Sequence, residues 1–212
     1  MIYPLLAALI GYAFGCIQPS YFIGKYIKKS DIKTIGTGNA GASNVTIHFG
    51  WKFGIIVALI DILKPVIAVI IISLLFHQNI AFDALIFLYF LTGAFVIIGH
   101  NFPFYMNFNG GKGTASMIGL FFVLDWKWAL IGLLLFVLLT ILTNYIVIGA
   151  MALYAFFDIF AWMEGYGYQV ILVATFLTLL AIVKHNENFV RIARGEEAGL
   201  RDAFKKDRDI VS

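Results

Sequence analysis

The chain has 212 residues, 61% of them apolar and only 13% charged, with a formal net charge of +3. That balance excludes a soluble globular domain, which needs polar surface to face water, and no fold or motif for nucleic-acid binding accompanies the modest positive charge. Apolar runs approach or exceed the roughly 20 residues that cross a bilayer, so the chain reads as an all-α integral membrane protein, one domain over residues 1–212.

The first span is predicted over residues 3–24. No basic residue precedes Ile2 and no small-residue cleavage site follows the run, so it reads as a retained span and not a signal peptide. Cys16, the single cysteine, lies inside it as a small buried side chain. Residues 25–50 form a polar, basic connection, and residues 53–76 a second span carrying Asp61, Lys64 and Pro65. An isolated charge within a bilayer costs about 2.5 to 3.5 kcal/mol on insertion scales. Asp61 and Lys64, one helical turn apart, therefore read as a structural ion pair. The third span covers residues 80–98.

Residues 99–119, GHNFPFYMNFNGGKGTASMIG, then place a glycine-rich turn with one lysine between two apolar runs. Gly110, Gly111 and Gly113 can adopt positive φ and turn successive N–H groups into one concavity, with Lys112 as a mobile point charge. The helix expected over residues 114–124 begins there and offers its orphan N–H groups to the same spot. Phosphate is the ligand such a place suits, although a bare GGKG more often marks a flexible turn between two membrane helices. At about 11 residues this helix is half-length. His100, beside the Pro103 turn, reads as structural.

Residues 129–162 would make a single helix of about 51 Å, against roughly 30 Å of hydrocarbon, so a break is predicted near Asn144. Residues 167–183 form the last span and residues 184–212 a charged tail. About seven spans result, one of them half-length, with the glycine-rich loops on one face. That face holds Lys25, Lys28, Lys29, Lys33, Lys52, Lys112, Lys184 and the tail cations, while Lys127 stands alone on the other. Positive charge marks the cytoplasmic side, which puts the N-terminus outside and the C-terminus inside. Residues 38–43 also echo residues 111–116, a second glycine-rich turn leading into a small Ala-Ser pair, and suggest a second backbone-lined anion pocket.

Three polar stretches now share one face: residues 31–44 (DIKTIGTGNAGASN), 99–116 and 184–197 (KHNENFVRIARGEE). Together they resemble the three motifs of the bacterial membrane acyl-phosphate:glycerol-3-phosphate acyltransferases, the PlsY family. Those read G-S-G-N-x-G-A-T-N after D-I-R, then G-H-x-F-P with F-x-G-G-K-G-x-A-T, then H-x-x-N-x-x-R-L-x-x-G-x-E. Order, spacing and length agree over nearly the whole chain. The resemblance implies transfer of a fatty acyl group from acyl phosphate to the 1-hydroxyl of glycerol 3-phosphate in the bacterial inner membrane, giving lysophosphatidic acid, without metal or cofactor. Its partners are those two substrates and membrane lipid.

By the same resemblance Gly110, Gly111, Lys112 and Gly113 would hold phosphate, with Lys33, Thr37, Asn39, Ser43 and Asn44 adding charge, hydroxyl and amide contacts. His185 and Asn188 would sit by the reacting carbonyl, joined in catalysis by Lys112, and Glu197 would order the tail. For His185, proton handling, oxyanion support and structure all stay open. Arg191 reads as facing water or anionic lipid. The chain departs from the family at Lys33, where an arginine is expected, and at Asn144 and Val147, which replace an arginine and a serine. Losing a cation there should weaken glycerol 3-phosphate binding or mark another acceptor, and an arginine restored at position 144 should lower KM. A transporter of a phosphorylated metabolite is the reading from another class, since broken helices also build carrier sites.

Overall fold

A computed structural model describes residues 2–201, and all the regular structure in it is helical. The tail cations beyond Arg201, and Ser212 itself, lie outside the described residues.

Helix α1 (Ile2–Gly15) stops short of the expected first span. Pro19 is the reason, because it lacks an N–H and pushes the preceding residue out of the helical region; Gln18 is extended at φ −111°, ψ 90°. The chain restarts as the short α2 (Pro19–Phe22), with proline in its first turn. A π-helical turn, Ile23–Lys28, follows and ends at Lys29 in the left-handed region. The connection after it holds a helix that the sequence reading did not anticipate, α3 (Ala42–Phe49), closed by Gly50 at φ 97°.

The long helices are α4 (Trp51–Phe76), α5 (Phe82–Asn101), α7 (Trp126–Thr143) and α8 (Ile146–Met163). Between them α6 (Thr114–Leu124) has the predicted bounds and 11 residues. Asn144, left-handed at φ 67°, makes the predicted break between α7 and α8. Helix α9 (Tyr168–Lys184) is followed by α10 (Asn186–Ala193), bent from it by 46°. Among the described residues five stretches are long and apolar enough to cross a membrane, six if the bent α9–α10 pair is one span, with α6 as the half-length addition. At 1.5 Å per residue α6 reaches about 16 Å, half the hydrocarbon thickness.

Large apolar side chains such as Leu74, Leu134, Leu142 and Leu172 stand exposed, a surface that only lipid satisfies. The interior is aromatic, with Phe90, Phe121, Phe157 and Phe160 packed ring against ring between α5, α6 and α8. Small residues allow the backbones to meet. A Cβ on Gly15 would fall 2.8 Å from Gly99 Cα, and one on Gly119 would overlap the Ile62 carbonyl. These crossings lock α1 to α5 and α6 to α4, which fixes both ends of the glycine-rich loop. At the far end of α6, Asp125 caps α7 by accepting from the N–H groups of Lys127 and Trp128 at 2.8 and 3.1 Å.

Candidate active site

The chain leaves α5 at Asn101, makes a compact lobe around a 3-10 turn, Phe104–Met106, and returns. On return Gly110 N–H donates to the Asn101 carbonyl and Gly111 N–H to that of His100, each at 3.0 Å. Those two donors are already engaged, and neither glycine has positive φ, which corrects the expected three-glycine nest. Glycine is required here for close approach: a Cβ on Gly110 would overlap the His100 carbonyl, and one on Gly111 the His100 ring. Gly113 alone has the left-handed backbone, φ 84°, as N-cap of α6. The first α6 bond runs from Met117 N–H to Gly113 O at 2.8 Å, so the N–H groups of Thr114, Ala115 and Ser116 lie ahead of it at the positive end of the helix dipole.

Lys112 extends from this turn to donate to Asn188 Oδ1 in α10. The amide of Asn188 donates to Glu197 Oε1 at 2.5 Å, and Arg191 Nε donates to Glu197 Oε2 at 2.6 Å. The Lys112–Asn188 bond therefore joins the second and third polar stretches, and the Glu197 carboxylate ties Asn188 to Arg191 within the third. Burial, and then the nearby Arg191 guanidinium, pushes the Lys112 ammonium down to about 8. His185 occupies the bend between α9 and α10, 4% exposed, with Nδ1 2.8 Å from the Ala181 carbonyl. A carbonyl only accepts, so Nδ1 carries the proton and Nε2 of the neutral ring keeps its lone pair. Arg191, read from sequence as facing water or lipid, joins this network through Glu197. Its spacing three residues past Asn188, one helical turn, is the signal that could have found it.

The first stretch is joined to the second through Lys33, whose Nζ donates to the Met106 carbonyl at 2.7 Å. Asn44 is 4% exposed, and its amide holds the Ile35 and Asn39 carbonyls, both at 3.0 Å, while Oδ1 accepts from Thr37 N–H at 3.3 Å. With both donors engaged it shapes the loop, leaving Thr37 and Ser43 exposed and Asn39 half-buried. Among the described residues no hydrogen bond or ion pair joins Thr37, Asn39 or Ser43 to Lys112, Asn188 or Glu197. Asp61 and Lys64 do pair, at 2.8 Å. At the α7–α8 break Asn144 receives the tail: its carbonyl accepts from Leu200 N–H at 2.8 Å and its Oδ1 from Arg201 N–H at 2.9 Å. No group of three or more His, Cys, Asp or Glu suited to a metal occurs among the described residues.

Residues 5–195 match the family described as glycerol-3-phosphate acyltransferase. The chain is 44% identical to glycerol-3-phosphate acyltransferase 1 of Oceanobacillus iheyensis, covering 97% of this chain and 99% of that one. It is 34% identical to glycerol-3-phosphate acyltransferase 2 of Thermotoga maritima, over 91% and 94%. The crystal structure of PlsY, an integral membrane glycerol 3-phosphate acyltransferase, in its glycerol 3-phosphate form superposes with a TM-score of 0.82 at 28% identity, over 93% of this chain and 95% of that one. Fold and site therefore define an integral membrane acyltransferase. The chain belongs to the glycerol-3-phosphate acyltransferase family of the PlsY type.

Proposed function

We propose that this acyltransferase, which forms lysophosphatidic acid from glycerol 3-phosphate, draws its acyl group from an acyl phosphate at the network around Lys112. Family membership sets aside the transporter reading. The observation that carries the site is the single polar cluster at the start of α6, where orphan N–H groups, Lys112 and the Asn188–Glu197–Arg191 chain stand together. A donor phosphate against Lys112 and the α6 N-terminus would leave its acyl chain free to run into lipid.

The 1-hydroxyl of glycerol 3-phosphate attacks the acyl carbonyl, the C–O bond to phosphate breaks, and phosphate departs with the electron pair. Phosphate is a good leaving group, so positioning and charge stabilisation suffice, without an acyl-enzyme. The bare Nε2 of His185 suits it to accept the hydroxyl proton better than to donate to an oxyanion. Asn188, with oxygen on Lys112 and nitrogen on Glu197, aims the lysine, and Glu197 steadies Asn188 and Arg191. Lys33, Thr37, Asn39 and Ser43 are proposed to hold the acceptor, with Asn44 shaping their loop; Gly110 and Gly111 contribute by fit and Gly113 by its turn. We place this face in the cytoplasm and the N-terminus outside the bacterial inner membrane, within one domain.

Lys112→Ala tests the reading in an assay of purified protein with palmitoyl phosphate and glycerol 3-phosphate, following lysophosphatidate and released phosphate. Turnover should fall at least about 100-fold while the protein extracts folded, since a charge-assisted transition-state contact is lost from a polar turn. Near-normal turnover would remove Lys112 from the chemistry.

A further inference from the structure

Asp61 and Lys64 are 1% and 2% exposed within α4, and the chemistry proposed above does not use them. Mutual neutralisation accounts for their burial, but a pair with no other task would end at itself. Lys64 Nζ also lies 2.6 Å from His100 Nδ1, 3.2 Å from the Ile17 carbonyl and 3.3 Å from the Gly15 carbonyl. The two carbonyls belong to the broken end of α1, where C=O groups lack intrahelical donors.

The same His100 Nδ1 also lies 3.3 Å from Asp61 Oδ1, so both members of the ion pair hold the ring by that one nitrogen. The ring so fixed lies directly against the loop, with Nε2 where a Cβ on Gly111 would be. The His100 carbonyl accepts Gly111 N–H at 3.0 Å, and also Gln18 Nε2 at 2.8 Å. Gly111 immediately precedes Lys112.

We infer that Asp61 and Lys64 are positioning residues for acyl transfer, holding the Gly111–Lys112 turn in place through His100; this rests on Lys112 being the phosphate-binding cation. Asp61 orients the ammonium, the ammonium orients the imidazole, and the imidazole sets the height of the turn. Neither residue touches substrate.

The charge-neutral double variant Asp61→Asn with Lys64→Met tests this, because it leaves no unpaired buried charge of the kind expected to unfold either single variant. Three measurements are made beside Lys112→Ala: Tm in detergent, kcat and KM with palmitoyl phosphate and glycerol 3-phosphate, and the pH profile of Lys112 labelling by an amine-reactive reagent. The double variant should melt close to the parent yet lose about 100-fold in kcat/KM, the scale of a misplacement of about 1 Å. Its Lys112 should titrate nearer ordinary lysine. Parent-like kcat/KM beside an inactive Lys112→Ala would overturn the positioning role alone. So would a loss that follows the folded fraction with Lys112 labelling unmoved. Full turnover by Lys112→Ala would instead overturn the phosphate reading, and with it any catalytic effect of the positioning.

Discussion

Lys112 holds its proton loosely, because its ammonium is half-buried beside the Arg191 guanidinium and sits at about 8. Below that pH it is charged, as the proposed phosphate contact requires; above it the charged fraction falls about tenfold per pH unit. The free-enzyme parameter kcat/KM for palmitoyl phosphate, the donor proposed to sit against Lys112, should accordingly stay level toward pH 7 and decline above pH 8. In Lys112→Arg the guanidinium keeps its proton, so whatever activity survives should lose that decline. An unchanged alkaline limb in the arginine variant would assign the titration to another group. The lysine was legible in the sequence as a charge in a glycine turn. Its partners were legible only by resemblance, because residues 112, 188 and 197 meet through folding and not through spacing. Gly110 and Gly111 show the converse: their residue type was read correctly and their reason was not, since it lies in the position of the His100 ring.

The break between α7 and α8 was predicted from length and charge, and Asn144 makes it with a left-handed backbone that asparagine tolerates better than arginine. Both Asn144 oxygens accept from the tail, and its Nδ2 lies where a Cβ on Gly199 would be. This reverses the outcome expected from sequence for Asn144→Arg. Losing one hydrogen bond costs about 1 kcal/mol and left-handed strain about 1 to 2 more, so the tail should detach and not be joined by a useful cation. Hydrogen exchange should quicken at Leu200 and Arg201, with KM for glycerol 3-phosphate unchanged or raised at two salt concentrations. A lower KM at both would restore the missing-arginine reading. Helix α6 was readable to its ends because a glycine turn and an acidic cap bound an uncharged, largely apolar run. Helices α2 and α3 were not, being short elements whose stability comes from contacts such as Ser20 Oγ to the Ala40 carbonyl at 2.6 Å.

At the scale of the whole molecule, the one-sided distribution of lysine and arginine predicts orientation. Single cysteines at positions 48, 107 and 190, where His48, Asn107 and Val190 are exposed, should react with an impermeant thiol reagent only when the inner face is opened. These are made with the buried Cys16 replaced by alanine. A cysteine at Lys127 should react from outside, and labelling of position 190 from outside would place the polar stretches on different faces. The sequence by itself determined the class, the half-length helix, the break at Asn144 and the polar stretches, because bilayer thickness converts hydropathy directly into spans. Where the first span breaks, which glycines bend and which merely fit, that Arg191 joins Glu197, and that a buried lysine in α4 reaches the lysine turn through His100 were decided only by the tertiary structure. Those facts depend on side chains from distant segments meeting at hydrogen-bond distance, and a linear pattern carries no record of such distances.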